Sequence, residues 1–146
     1  MRLDRRSIGA LGALTLAAVI GANAVHTGLA DTPAAEGASV TPVFAYDLPN
    51  LPGQKMTGVL VEYGPGGSSP PHHHTKQGSV VAYVLEGAIR SKVDDGPEKV
   101  YRAGESWLEP PGAAHAVSAN ASDTEPARLL AVFVAADGAE LTTFDQ

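Results

Sequence analysis

From Val40 to the C-terminus the apolar residues come in short, β-branched runs cut off by Gly, Pro, Asn and Asp. No stretch there keeps the spacing of an amphipathic helix. The pattern predicts an all-β domain, with strands at Thr41–Ala45, Lys55–Tyr63, Ser79–Leu85, Ala88–Val93, Lys99–Arg102, Glu105–Leu108, His115–Ala119 and Ala127–Ala135. Turn clusters separate them: Pro49 to Gly53, Gly64 to Pro71, Asp94 to Pro97 and Pro110-Pro-Gly112. Asp95-Gly96 predicts a hairpin, because glycine accepts the positive φ that tight turns require. Strands this short and this closely spaced form a sandwich or a small closed barrel.

The first 30 residues have a different character. Met1 to Arg6 is basic, Ile8 to Ile20 is apolar and rich in Ala and Gly, and small residues suited to signal peptidase follow at Ala22-Asn-Ala24 and Gly28-Leu-Ala30. Residues 1–30 therefore read as a signal peptide, 31–39 as a flexible mature N-terminus, and 40–146 as one domain. Arg5-Arg6 followed by Ser7-Ile8 resembles a twin-arginine signal, although Asp4 stands where Ser or Thr is expected; an ordinary secretory signal is the alternative. A retained anchor is the weaker reading, since the apolar stretch is short for the ~20 residues of a span. The expected location is periplasmic or secreted, with no stable membrane span after processing.

Loss of this leader removes three arginines and one aspartate and takes the formal charge from −6 to −8. The remaining cations, Lys55, Lys76, Arg90, Lys92, Lys99, Arg102 and Arg128, are scattered singly. Binding to a phosphate backbone needs clustered cations, so nucleic acid is excluded as an expected partner. With no cysteine, disulfides and thiolate metal sites are excluded too.

Four histidines lie beyond the leader, three of them consecutive. On a strand, His72 and His74 share a face and His73 takes the other. Pro70-Pro71 stiffens the approach to them, and Pro110-Pro-Gly112 delivers His115 at a fixed angle. His72, His74 and His115 are accordingly the candidate metal ligands, while His73 reads as an ordinary surface residue.

These segments resemble the paired motifs of the cupins, small β-barrel proteins. Of the first motif, Gly-x5-His-x-His-x3–4-Glu-x6-Gly, the chain has Gly66, His72-His73-His74 and the closing Tyr83-Val-Leu-Glu-Gly87. The second, Gly-x5-Pro-x-Gly-x2-His-x3-Asn, is met by Gly104-Glu-Ser-Trp-Leu-Glu-Pro110-Pro-Gly112-Ala-Ala-His115, with the asparagine one residue late at Asn120. The resemblance covers roughly Met56 to Val134 and implies a cupin-type jelly-roll β-barrel.

One departure matters. Counting forward from His74 puts the family's glutamate at Gly78 or Ser79, and counting back from Gly87 puts it at Val80; none is acidic. Either three histidines hold a divalent ion (Fe, Zn, Ni or Cu) with water completing the site, or the residues are relics of one. A centre without its carboxylate carries one more positive charge, which favours anionic ligands and weakens affinity for harder ions such as Mn. Gln77 is a weak candidate for an extra oxygen ligand. Glu109 reads first as a solvent-facing or loop-bracing carboxylate, with ligation as the second reading. Trp107, Tyr83 and Phe133 read as core ahead of pocket lining, and Gly87 and Gly104 as backbone requirements.

For function, the resemblance implies a metal-dependent enzyme acting on a small molecule. Dioxygenase-type chemistry is favoured, because cupins with three-histidine centres include such enzymes, and isomerase or lyase chemistry is the variant. The rival is a non-catalytic metal- or ligand-binding protein of the cell envelope, favoured by the missing glutamate and the short chain without a lid insertion. A third reading is a dimerisation module, since cupins often pair through sheet edges to give homodimers.

Overall fold

The computed structural model describes residues 37–145. The expected leader and most of the expected flexible terminus lie outside them. Within this range the regular elements are all strands: β1 (Ala38–Asp47), β2 (Gln54–Tyr63), β3 (Ser68–Ser69), β4 (His72–His74), β5 (Gly78–Glu86), β6 (Ala88–Val93), β7 (Lys99–Arg102), β8 (Ser106–Glu109), β9 (Ala114–Asn120), β10 (Ala127–Ala136) and β11 (Thr142–Phe144). The eight predicted strands are all present, to within a few residues at their ends. Ala38 and Ser39, expected in the flexible terminus, instead pair with Tyr63 and Glu62 as the start of β1.

Two antiparallel sheets face one another. One has the order β1-β2-β10-β5-β8 and the other β11-β4-β9-β6-β7, with β3 also paired to β9. Alternation along the strands separates inside from outside. On β5, Val80, Ala82 and Val84 are buried while Val81, Tyr83 and Leu85 are exposed; on β10, Ala127, Leu129, Ala131, Phe133 and Ala135 point inward. Together with Val59, Tyr63, Ile89 and Trp107 they form the core. Each large apolar side chain so buried stabilises the fold by roughly 1.5–3 kcal/mol. Tyr83, grouped with the core on sequence, lies outside because β5 turns Ala82 and Val84 inward.

Three short elements were not in the predicted strand set. β3 lies in a Gly-Ser-Pro run that reads as turn, while β4 and β11 are three residues each, too short for periodicity to show. Each is a strand through its pairing, β3 with β9 and β4 between β9 and β11.

The β6–β7 hairpin forms as expected, but its positive φ falls on Asp94 (49°) and not on Gly96. Tertiary contacts explain the shift: Asp94 donates its N–H to Ala114 O (2.8 Å) and accepts from Ala114 N–H through Oδ1 (2.9 Å). Gly87 and Gly104 do carry positive φ, 68° and 91°.

Candidate metal centre

Two local devices aim the histidines. In β4 the alternation buries His72 and His74 and leaves His73 outside, where its Nδ1 meets Asp145 Oδ1 at 2.6 Å. On the other side, Ala113 N–H donates to Pro110 O (3.0 Å) and Gly112 has φ of 75°, a type II turn with proline and glycine in the two positions that suit them. That turn starts β9, whose second residue, His115, pairs directly with His72. One ring nitrogen from each of His72, His74 and His115 lies within 4.8 Å of the others, and all three residues are buried.

A bulge next to His115 shapes the interior further. Val93 pairs with His115 and Lys92 with Val117, so Ala116 is an extra residue on β9. This shifts the alternation by one, and both His115 and Ser118 face inward. It also takes up the residue by which Asn120 is late in the sequence. Asn120 is buried, donates through Nδ2 to Gly64 O and Glu125 O (2.9 and 2.7 Å), and accepts from Ser122 N–H.

Hydrogen bonds set the ring orientations. His72 Nδ1 donates to Pro70 O at 2.7 Å, and His74 Nδ1 donates to Leu141 O at 3.2 Å. A carbonyl only accepts, so the proton of each neutral ring sits on Nδ1, and Nε2 presents a bare lone pair to the interior. His115 Nε2 bonds Ser91 Oγ at 2.9 Å, and its Nδ1 faces inward. Burial, the largest influence on both, pushes the His72 pKa down to about 4 and lowers that of His115. Neutral imidazoles turned toward one point are what a divalent transition ion requires.

Glu109 is where structure and sequence reading part. It is 2% exposed, neither solvent-facing nor bracing a loop, and projects from β8 into the imidazole cluster. Its Oε1 accepts from Trp107 Nε1–H at 2.9 Å. The other oxygen, Oε2, lies 2.9 Å from His74 Nε2 and 3.3 Å from His115 Nδ1, yet lacks a well-formed hydrogen bond. Burial alone would raise this carboxyl's pKa, but the His74 contact and the neighbouring imidazoles outweigh it and hold it below the ordinary value. An orphaned anionic oxygen facing bare imidazole nitrogens calls for a cation between them, and this donor set fits a divalent metal. Gln77, by contrast, is exposed.

A cavity of about 90 Å³ adjoins the histidines, with largely apolar walls that include Trp107, Leu129, Phe133 and Phe144. Trp107 and Phe133 thus serve as both core and lining. Sequence reading missed Tyr63, which faces this cavity with its hydroxyl between Ser69 Oγ (2.7 Å) and Ser118 Oγ (2.8 Å); burial raises its pKa. The only available signal was its place at the end of a strand, which is common to many tyrosines.

Residues 59–133 match the family described as Cupin domain, which spans just over half of the chain. This protein is a cupin.

The cupin is 35% identical over 94 residues to oxalate oxidase GF-2.8 of Triticum aestivum, covering 58% of this chain and 41% of that protein. It is 31% identical over 101 residues to germin-like protein subfamily 2 member 2 of Arabidopsis thaliana, covering 66% and 45%. The chain thus spans less than half the length of these curated relatives. Among solved structures it resembles oxalate oxidase in complex with the substrate analogue glycolate, with a TM-score of 0.59 and 25% identity, covering 78% of this chain and 57% of that one. The polyketide cyclase RemF from Streptomyces resistomycificus shares the fold, with a TM-score of 0.54, 24% identity, and coverage of 74% and 76%.

Proposed function

We propose that this cupin holds one divalent transition-metal ion through His72, His74 and His115 and uses it on a small molecule admitted to the adjoining cavity. The observation that carries this reading is the convergence of three buried imidazoles whose outward Nδ1 protons are tied to backbone carbonyls in two cases. When bound, such an ion supplies Lewis acidity or redox chemistry at a position open to a ligand. The protein's own part is to hold the three rings, to keep bulk water out with Phe133 and Phe144, and to present the Tyr63 hydroxyl as a hydrogen-bonding group facing the same space.

Dioxygenase- or oxidase-type chemistry is the favoured reaction class, supported by the likeness to oxalate oxidases. The non-catalytic binding protein remains the second reading. It is favoured by a cavity whose titratable lining consists of the histidines, Glu109 and Tyr63 alone. Export to the periplasm or outside the cell belongs to the proposal through the leader-like residues 1–30. A second copy of the chain is the expected occupant of the exposed apolar face formed by Val81, Tyr83, Leu85 and Leu108.

Metal analysis of untagged protein, wild type against His115→Ala, tests the site. A stoichiometric ion lost in the variant is expected, and unchanged metal content would remove the reading. Oxygen consumption with iron- or nickel-loaded protein over a panel of oxalate, glycolate, thiols, diketones and phenols then separates enzyme from binding protein.

A further inference from the structure

We infer that Glu109 is the fourth ligand of the metal site, and that the carboxylate has changed strands: it comes from β8, opposite the place on β5 where the family motif would put it. This rests on the metal reading above. Counting back from Gly87 places the motif glutamate at Val80. Val80 and Glu109 are direct partners in the β5–β8 ladder, and both point inward, 1% and 2% exposed. Directly paired residues of antiparallel strands hold their Cβ atoms about 5 Å apart. A glutamate is long enough to reach one point from either place.

Three features of Glu109 suit a ligand. Its Oε1 is anchored by Trp107, which leaves Oε2 to face the histidines. Ligands bound at ~2.1 Å to one ion sit roughly 3.0–3.4 Å apart in octahedral or tetrahedral arrangement; Oε2 stands 2.9 and 3.3 Å from ring nitrogens of His74 and His115. Oε2 is also the buried side-chain atom left without a hydrogen bond among the described residues. The bond between His74 Nδ1 and Leu141 O at 3.2 Å turns the ring so that its Nε2 faces Oε2.

The consequence is a site with three imidazoles and one carboxylate, one positive charge lower than histidines alone would give. Oxygen donors suit harder ions, so Mn(II) joins the ions this site accepts.

The test titrates chelator-stripped protein with Mn(II) and Zn(II) and reads affinity by calorimetry, for wild type, Glu109→Gln and the double variant Val80→Glu/Glu109→Gln. Glu109→Gln should weaken Mn(II) by about a hundredfold and Zn(II) by about tenfold, and Val80→Glu should restore much of the loss. Wild-type protein that binds neither ion would sink the metal reading as a whole. Wild type that binds, with Glu109→Gln equal to it for both ions, overturns the Glu109 proposal and leaves three histidines standing. A double variant no better than Glu109→Gln overturns the exchange between strands. Should Glu109→Gln lose its cooperative melt, infrared difference spectra of wild type with and without Zn(II) decide: a coordinated carboxylate shifts its antisymmetric stretch, and an unmoved band overturns the assignment.

Discussion

Trp107 and Glu109 lie two residues apart on β8, on the same inward face, and the indole N–H holds Glu109 Oε1 at 2.9 Å. The bond joins the core to the candidate metal centre, because it fixes which carboxylate oxygen turns to the histidines. Trp107→Phe keeps most of the apolar volume and removes only the donor. It should cost about 1.5–3 kcal/mol, the range for a hydrogen bond to a charged group, and lower metal affinity about tenfold. Urea denaturation followed by circular dichroism and metal titration check the two effects separately.

Trp107 is the only tryptophan, and its ring centroid is 6.3 Å from that of His115. Its emission therefore reports on this site alone. Titration of stripped protein with Cu(II) or Ni(II) should quench the emission in a saturable manner at one equivalent, and Zn(II) should compete the quenching away. Quenching that stays linear in metal would place the ion elsewhere.

Metal-free protein should lose stability as the pH falls from about 6.5 toward 4. The His72 pKa is about 4 in the folded chain against 6.5 in the unfolded one, chiefly through burial. In that interval the unfolded state takes up a proton that the folded state does not. Stability then falls with falling pH by up to about 1.4 kcal/mol per pH unit for that residue, and His115, also lowered, adds in the same direction. Glu109, lowered as well, has its stabilising effect above its unfolded pKa and loses it at still lower pH. Thermal midpoints of stripped protein at pH 7, 6 and 5 measure the trend, and bound metal should raise the midpoint at pH 7 while leaving the fall with acid at least as steep, because ligated rings take up no proton.

Gly112→Ala should cost roughly 1–2 kcal/mol, because φ of 75° disfavours any residue with a Cβ. The turn also aims His115, so metal affinity should fall with stability. Pro110→Ala, which keeps that φ on glycine, should change both far less. Thermal melts and calorimetry of the two variants distinguish an effect of the turn's shape from one of its composition.

Leu108, 62% exposed, lies on the outer face of β8 beside Val81 of β5. If two copies pair through this face, Leu108→Glu should convert a dimer to a monomer in sedimentation velocity without altering the far-ultraviolet circular dichroism. A wild type that already sediments as a monomer would rule the pairing out.

The sequence by itself determined eight of the eleven strands and singled out the three histidines that the fold brings together. Both follow from local rules: side chains alternate along β4, prolines and glycines mark the turns, and two motifs sit at fixed spacing around His72, His74 and His115. The type II turn at Pro110-Pro-Gly112 was legible for the same reason, since its residues prescribe its dihedral angles. Only the tertiary structure decided the rest. Glu109 looked like a carboxylate beside a turn because its meaning depends on β8 lying next to β5, with Val80 as its partner. Asn120 looked misplaced until the bulge at Ala116 took up the extra residue, and β11 became a strand only through β4. Pairing across sheets joins residues far apart in the chain. A linear pattern records which way a side chain points along its own strand, but not what it meets there.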